Sequence, residues 1–125
     1  MASSVLVVED DADGQEILGR MLIRAGIPIE LTSTAEDALQ ILSPEEHSVV
    51  VIDLALPNMN GFDLLQHIRD NEATAHLDCI AITAFHTPAL RQRVIESGFD
   101  EYFAKPIDDR RFMTTIKDMF ATQHD

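Results

Sequence analysis

Val49-Val50-Val51-Ile52-Asp53-Leu54-Ala55-Leu56-Pro57-Asn58-Met59-Asn60-Gly61 is the stretch on which the fold turns. Four apolar, β-branched residues in a row read as a short strand buried on both faces, because a strand with one wet face would alternate. Asp53 ends the strand, and the Pro, Asn and Gly residues beyond it mark a turn. An ionised carboxylate in that place is costly to desolvate unless a metal ion, a phosphoryl group or a hydrogen-bond network satisfies it. A similar run, Val5-Leu6-Val7-Val8, ends in Glu9 and Asp10. Three carboxylates at the tips of two apolar strands form the first candidate site.

Outward from these strands, apolar runs alternate with segments of helical period. Ile17, Leu18, Met21, Leu22 and Ala25 share one helical face, and Gly26 stops that helix. Residues 27–31 read as a second strand. Thr34 caps a helix with the stripe Ala35, Ala38, Leu39 and Leu42, and residues 43–46 form a loop. Phe62, Leu65 and Ile68 predict a third helix after Gly61. A fourth strand covers 80–83, and Thr87-Pro88 starts a helix that ends at Ser97-Gly98. A fifth strand covers 100–104, and Asp108 caps a last helix with Phe112, Ile116, Met119 and Phe120 inward. Strands alternating with helices imply a parallel sheet covered on both faces. In such sheets functional groups gather at the carboxyl ends of the strands. Those ends carry Glu9-Asp10, Asp53, Thr83 and, just past the fifth strand, Lys105.

The chain has 125 residues, 46% of them hydrophobic, which fits one domain with a proper core. Its net charge of −13 repels nucleic acid backbone and anionic membrane, so direct binding to either is not expected. Cys79 is the only cysteine, which excludes a disulfide framework and a cysteine zinc site; within Cys79-Ile80-Ala81-Ile82 it reads as a buried thiol. His47, His67, His76, His86 and His124 show no metal-ligand spacing. There is no signal-peptide pattern, and no apolar run approaches the roughly 20 residues of a membrane span, so a cytoplasmic location is expected.

Crowded carboxylates repel one another and raise their pKa values. A hard, oxygen-only site with few protein ligands suits Mg²⁺. A carboxylate beside such an ion can attack phosphorus and form an aspartyl-phosphate. The transferring group needs cationic and hydrogen-bonding partners, and Lys105 and Thr83 are suited to those tasks.

At this point the chain strongly resembles the receiver domain of two-component response regulators. The matching residues are Val7-Val8-Glu9-Asp10-Asp11, Asp53 with Leu56-Pro57-Asn58-Met59-Asn60-Gly61, Thr83-Ala84, and Tyr102-Phe103-Ala104-Lys105-Pro106. They run in order from Val5 to Phe120. The resemblance implies a flavodoxin-like (βα)5 fold of strand order 2-1-3-4-5, as in the chemotaxis regulator, with a single receiver domain over 1–125 (core about 5–120) and no output domain. The Met1 start favours an N-terminal position.

Carried over, the resemblance makes Asp53 the phosphoacceptor. Mg²⁺, with Mn²⁺ as the alternative, would be held by Asp10, Asp53, the Ala55 carbonyl and, through water, Glu9. Lys105, Thr83 and the Ala84 backbone would bind the phosphoryl group. Thr83 and Tyr102 would form the switch, Tyr102 moving inward, and the Lys105–Pro106 bond would be cis. A histidine kinase or histidine phosphotransfer protein would donate the phosphoryl group. A downstream protein would bind the face made by the fourth helix, fifth strand and last helix.

Each residue also has a plainer reading. Asp11 and Asp13 suit the N-terminus of the first helix. Thr83 alone would bond to backbone, Tyr102 alone would be a partly exposed aromatic on an edge strand, and Lys105 alone would be surface charge. Arg91 and Arg93 either solvate the fourth helix or meet a partner. Arg110 and Arg111 serve a homodimer or solvate the last helix. Ala55 and Phe85 depart from the polar side chains common in relatives; neither can orient a water, so they predict a gate that slows dephosphorylation. Two rivals remain. A haloacid-dehalogenase-type phosphatase would need a second Asp at position 55, where this chain has Ala; a receiver working without phosphorylation would not need the intact site.

Overall fold

The computed structural model describes residues 3–123; Met1 and His124 lie outside the described residues. The chain runs β1 (Ser4–Val8), α1 (Ala12–Arg24), β2 (Ile29–Thr32), α2 (Ala35–Ile41), β3 (His47–Asp53), α3 (Gly61–Asp70), β4 (Asp78–Thr83), α4 (Pro88–Ser97), β5 (Glu101–Ala104) and α5 (Asp109–Gln123). The five strands form one sheet in the order β2-β1-β3-β4-β5, every pair parallel.

Alternation along the strands divides the core in two. Val5, Val7, Val49, Val51, Ile80 and Ile82 meet Leu18 and Leu22 of α1 and Phe112 and Ile116 of α5. Leu6, Val8, Val50, Ile52, Cys79 and Ala81 meet α2, α3 and α4 on the other face. Every residue of β3 is buried, which places Asp53 at the tip of the central, driest strand.

Local chemistry sets the helix ends. The Asp11 carboxylate accepts the Gly14 N–H at 2.9 Å, and Asn60 and Asp63 form a reciprocal capping box. Thr87 caps α4 with Pro88 at its start, while Gly98 ends it at φ +108°, a conformation glycine adopts without steric cost. Asp108 Oδ1 accepts the Arg111 N–H at 3.2 Å, opening α5.

Three details differ from the sequence expectation. β2 begins at Ile29 rather than Ile27, because the Ile27 N–H is still engaged with the Leu22 carbonyl in the terminal turn of α1. Ile17 is 53% exposed, since it lies about 100° round the helix from Leu18, which faces the sheet. Tyr102 is only 5% exposed although β5 is an edge strand, because it joins the core cluster that includes Val94 and Leu90 of α4.

His47 is buried at the far end of β3 from the acids. The Ser43 N–H donates to its Nδ1 at 3.1 Å and its Nε2 meets Glu30 Oε1 at 2.8 Å, so its polar atoms are satisfied structurally. Burial pushes the Cys79 thiol up to about 12. The native chain at about pH 8 is therefore expected to resist thiol-disulfide reagents and to react once denatured, since only the thiolate attacks. A colorimetric thiol assay with and without denaturant checks this; equal rates would contradict a buried thiol.

Candidate functional site

The parallel sheet brings the β1 and β3 tips side by side, with Val8 opposite Ile52. Glu9 and Asp53 follow those residues and are both buried, whereas Asp10 is exposed at the mouth. One carboxylate oxygen from each of the three lies within 4.8 Å of the others. A set of hard oxygen donors, two of them buried and one open to solvent, fits a small divalent cation.

Lys105 enters from the end of β5. Its N–H donates to the Thr83 carbonyl at 2.8 Å, the following bond to Pro106 is cis, and its Nζ donates to Glu9 Oε1 at 2.5 Å and Asp53 Oδ2 at 2.9 Å. The other Asp53 oxygen, Oδ1, accepts the Ala55 N–H at 2.8 Å. Asp53 is thus held at both oxygens, which fixes its orientation.

Burial, with Asp53 beside it, pushes the Glu9 carboxyl up to about 7 against the pull of Lys105. Burial also pushes Asp53 upward, but hydrogen bonds involving Glu9, the Ala55 N–H and Lys105 outweigh it and hold Asp53 below the usual carboxylate value. Two similar acids therefore divide the work: Glu9 accepts a proton first and Asp53 keeps its charge, as a nucleophile requires.

Thr83 ends β4 one residue beyond Ile82, which pairs with Asp53. Its Oγ1 accepts the Phe85 N–H at 3.0 Å. Tyr102 pairs with Ala81, two residues before Thr83, so Thr83 and Tyr102 project to the same face of the sheet. Burial raises the Tyr102 hydroxyl above its usual value, with Arg91 pulling the other way. Ala55 and Ala84 lie on the two loops that follow Asp53 and Thr83, and Phe85 is 72% exposed.

The sequence reading missed three participants. Gly14 leaves room for Glu9: a Cβ there would sit 2.4 Å from Glu9 Oε1. Gln15 Nε2 donates to the Glu9 carbonyl at 2.6 Å. His86 Nδ1 lies 2.6 Å from the Tyr102 hydroxyl. A glycine inside the first turn of a helix was a readable hint of close approach; nothing in the sequence marked Gln15 or His86.

Fold and site together define a doubly wound α/β domain with an acid cluster and one lysine at the carboxyl ends of its strands. The family model of the response regulator receiver domain matches residues 5–117, and the chain belongs to that family, the receiver domains of two-component signalling. It is 36% identical over 114 residues to the transcriptional regulatory protein GltR of Pseudomonas aeruginosa, covering 91% of this chain and 47% of GltR. It is 28% identical to the polar-differentiation response regulator DivK of Brucella ovis, covering 94% of this chain and 95% of DivK. A CheY-like receiver domain from Methanospirillum hungatei superposes with a TM-score of 0.85 at 23% identity, covering 99% of this chain and 98% of that one, a likeness of fold.

Proposed function

We propose that Asp53 accepts a phosphoryl group from a phosphohistidine on a histidine kinase or histidine phosphotransfer protein. The observation that carries this reading is the double restraint of Asp53, with Ala55 N–H on one oxygen and Lys105 on the other. A carboxylate oxygen attacks phosphorus, the P–N bond breaks, and its electron pair returns to the donor's imidazole. Lys105 stabilises the negative charge on the transferring oxygens, and the Thr83 hydroxyl and Ala84 backbone bind the group on the opposite side. Asp10, Asp53, the Ala55 carbonyl and, through water, Glu9 would hold Mg²⁺ or Mn²⁺, which supplies charge neutralisation for the crowded oxygens.

The output is partner binding at the face made by α4, β5 and α5, where the population shifts as Thr83 and Tyr102 respond to the new charge. A cytoplasmic location belongs to the same reading. No helix among the described residues is long and apolar enough to cross a membrane.

Incubation with Mg²⁺ and acetyl phosphate, followed by intact mass, tests the assignment. A phosphoryl adduct on the wild type that is missing from Asp53→Asn is expected. Turnover without an adduct would instead indicate a phosphatase, and no reaction would indicate a receiver that works unphosphorylated.

Ala55 and Phe85 bear on the lifetime of the adduct. Neither side chain carries a polar atom to orient a hydrolytic water. Ala55→Asn and Phe85→Glu are therefore expected to speed loss of phosphate from the purified phosphoprotein. Unchanged decay in both variants would remove the gate from the account.

A further inference from the structure

We infer that His86 is a positioning residue that links Thr83 to the hydroxyl of Tyr102, so that phosphorylation is reported as a change of partner at that hydroxyl. The inference rests on the assignment of Asp53 as phosphoacceptor and adds to it a residue that the sequence reading gave no role.

The geometry is local. The segment between β4 and α4 is held at two points. Near its start the Phe85 N–H donates to Thr83 Oγ1 at 3.0 Å, and at the next residue His86 Nδ1 lies 2.6 Å from Tyr102 Oη. The two rings stand with centroids 5.5 Å apart and planes at 44°. The bond forms by donation from the phenol to a bare Nδ1 or from an Nδ1–H to the phenol oxygen, according to tautomer.

Tyr102 has little freedom of its own. Its ring is buried in the core, and its carbonyl accepts the Arg111 guanidinium at 2.9 Å. The ring already lies inward, so a further inward swing is not the movement left to it. The hydroxyl is the part that can change partner, and His86, on an exposed segment, is the partner that can leave.

The linkage then follows from donor and acceptor counts. A Thr83 hydroxyl has one proton and two lone pairs. When it turns to donate to a phosphoryl oxygen on Asp53, its lone pairs are reoriented and the bond from the Phe85 N–H is disturbed. Phe85 and His86 are adjacent, so displacement of one carries the other. Loss of the His86 bond frees the Tyr102 hydroxyl beside Arg91, on the face where a partner would bind.

The composition supplies a clean reporter. The chain has one tyrosine and no tryptophan, so its tyrosine emission comes from Tyr102 alone. Phosphorylation of the full chain by acetyl phosphate with Mg²⁺ is expected to change that emission in the wild type and in His86→Asn, whose amide can replace the Nδ1 partner. The change is expected to be lost in His86→Ala, while intact mass shows the adduct in all three. His86 is exposed, so both variants are expected to fold, and far-ultraviolet circular dichroism of each confirms it.

A wild-type emission change that persists in His86→Ala would overturn the inference and leave the Asp53 assignment standing. Loss of the change in both variants would also overturn it, because the hydrogen bond would then not be what matters. An adduct with no wild-type emission change would do the same. Absence of any wild-type adduct would fell the phosphoacceptor reading itself, and the link with it.

Discussion

Replacing Lys105 by Met lowers the rate of phosphoryl uptake from acetyl phosphate by about 100-fold, read as adduct mass against time. The magnitude is that of removing one pre-oriented charged donor from a partly dry site. Lys105 is not free to be replaced by solvent: its Nζ is bonded to both Glu9 and Asp53, with Glu9 fully buried. Without the ammonium, two acids face each other with no cation of the chain's own between them. Glu9 answers by holding its proton more firmly, since Lys105 is what pulls its pKa down. That response limits the loss of stability, so the folded state is expected to survive while uptake falls. An unchanged rate would remove Lys105 from the chemistry.

Gly61→Ala is expected to destabilise the fold by about 1–3 kcal/mol and also to slow uptake, although residue 61 carries no functional group. A Cβ there would lie 2.8 Å from the Asp53 carbonyl oxygen and 2.8 Å from Leu54 Cα. Both are backbone atoms, so no rotamer change relieves the contact and the turn after β3 must move. That turn carries the Ala55 N–H that holds Asp53 Oδ1. At Gly14 the nearest atoms belong to the Glu9 side chain, which can rotate away and give up its bond to Lys105. Urea denaturation with uptake kinetics separates the two: Gly61→Ala lowers both, whereas Gly14→Ala chiefly lowers uptake. A Gly61→Ala chain as stable as the wild type would show that the turn is slack.

What could be read from the sequence follows from which signals are local. The all-apolar run before Asp53 announces a strand wet on neither face, and the structure buries every residue of β3. Caps are equally local, so Thr34, Asn60-Gly61 and Thr87-Pro88 mark helix starts where they are found. The strand order was a different matter: periodicity gives five strands, and only the family resemblance supplied 2-1-3-4-5. Ile17 misled because apolar type does not say which of two adjacent residues faces the sheet. Glu9, Asp10 and Asp53 were legible because acids after apolar runs are conspicuous. His86 was not, because its meaning depends on Tyr102, sixteen residues away across a strand.

Only Val94 of α4 is fully buried, whereas β3 has no exposed residue. Stability is distributed unevenly in such a domain, and elements with few buried contacts open by sub-global fluctuation well below the free energy of global unfolding. The amides of α4 are therefore expected to exchange with solvent deuterium long before those of β3. The acceptor carboxylate is rooted in the slowest-exchanging strand, and the helix that would display the signal is a loosely held foldon. Repacking α4 draws on a local opening equilibrium and leaves the seat of Asp53 closed.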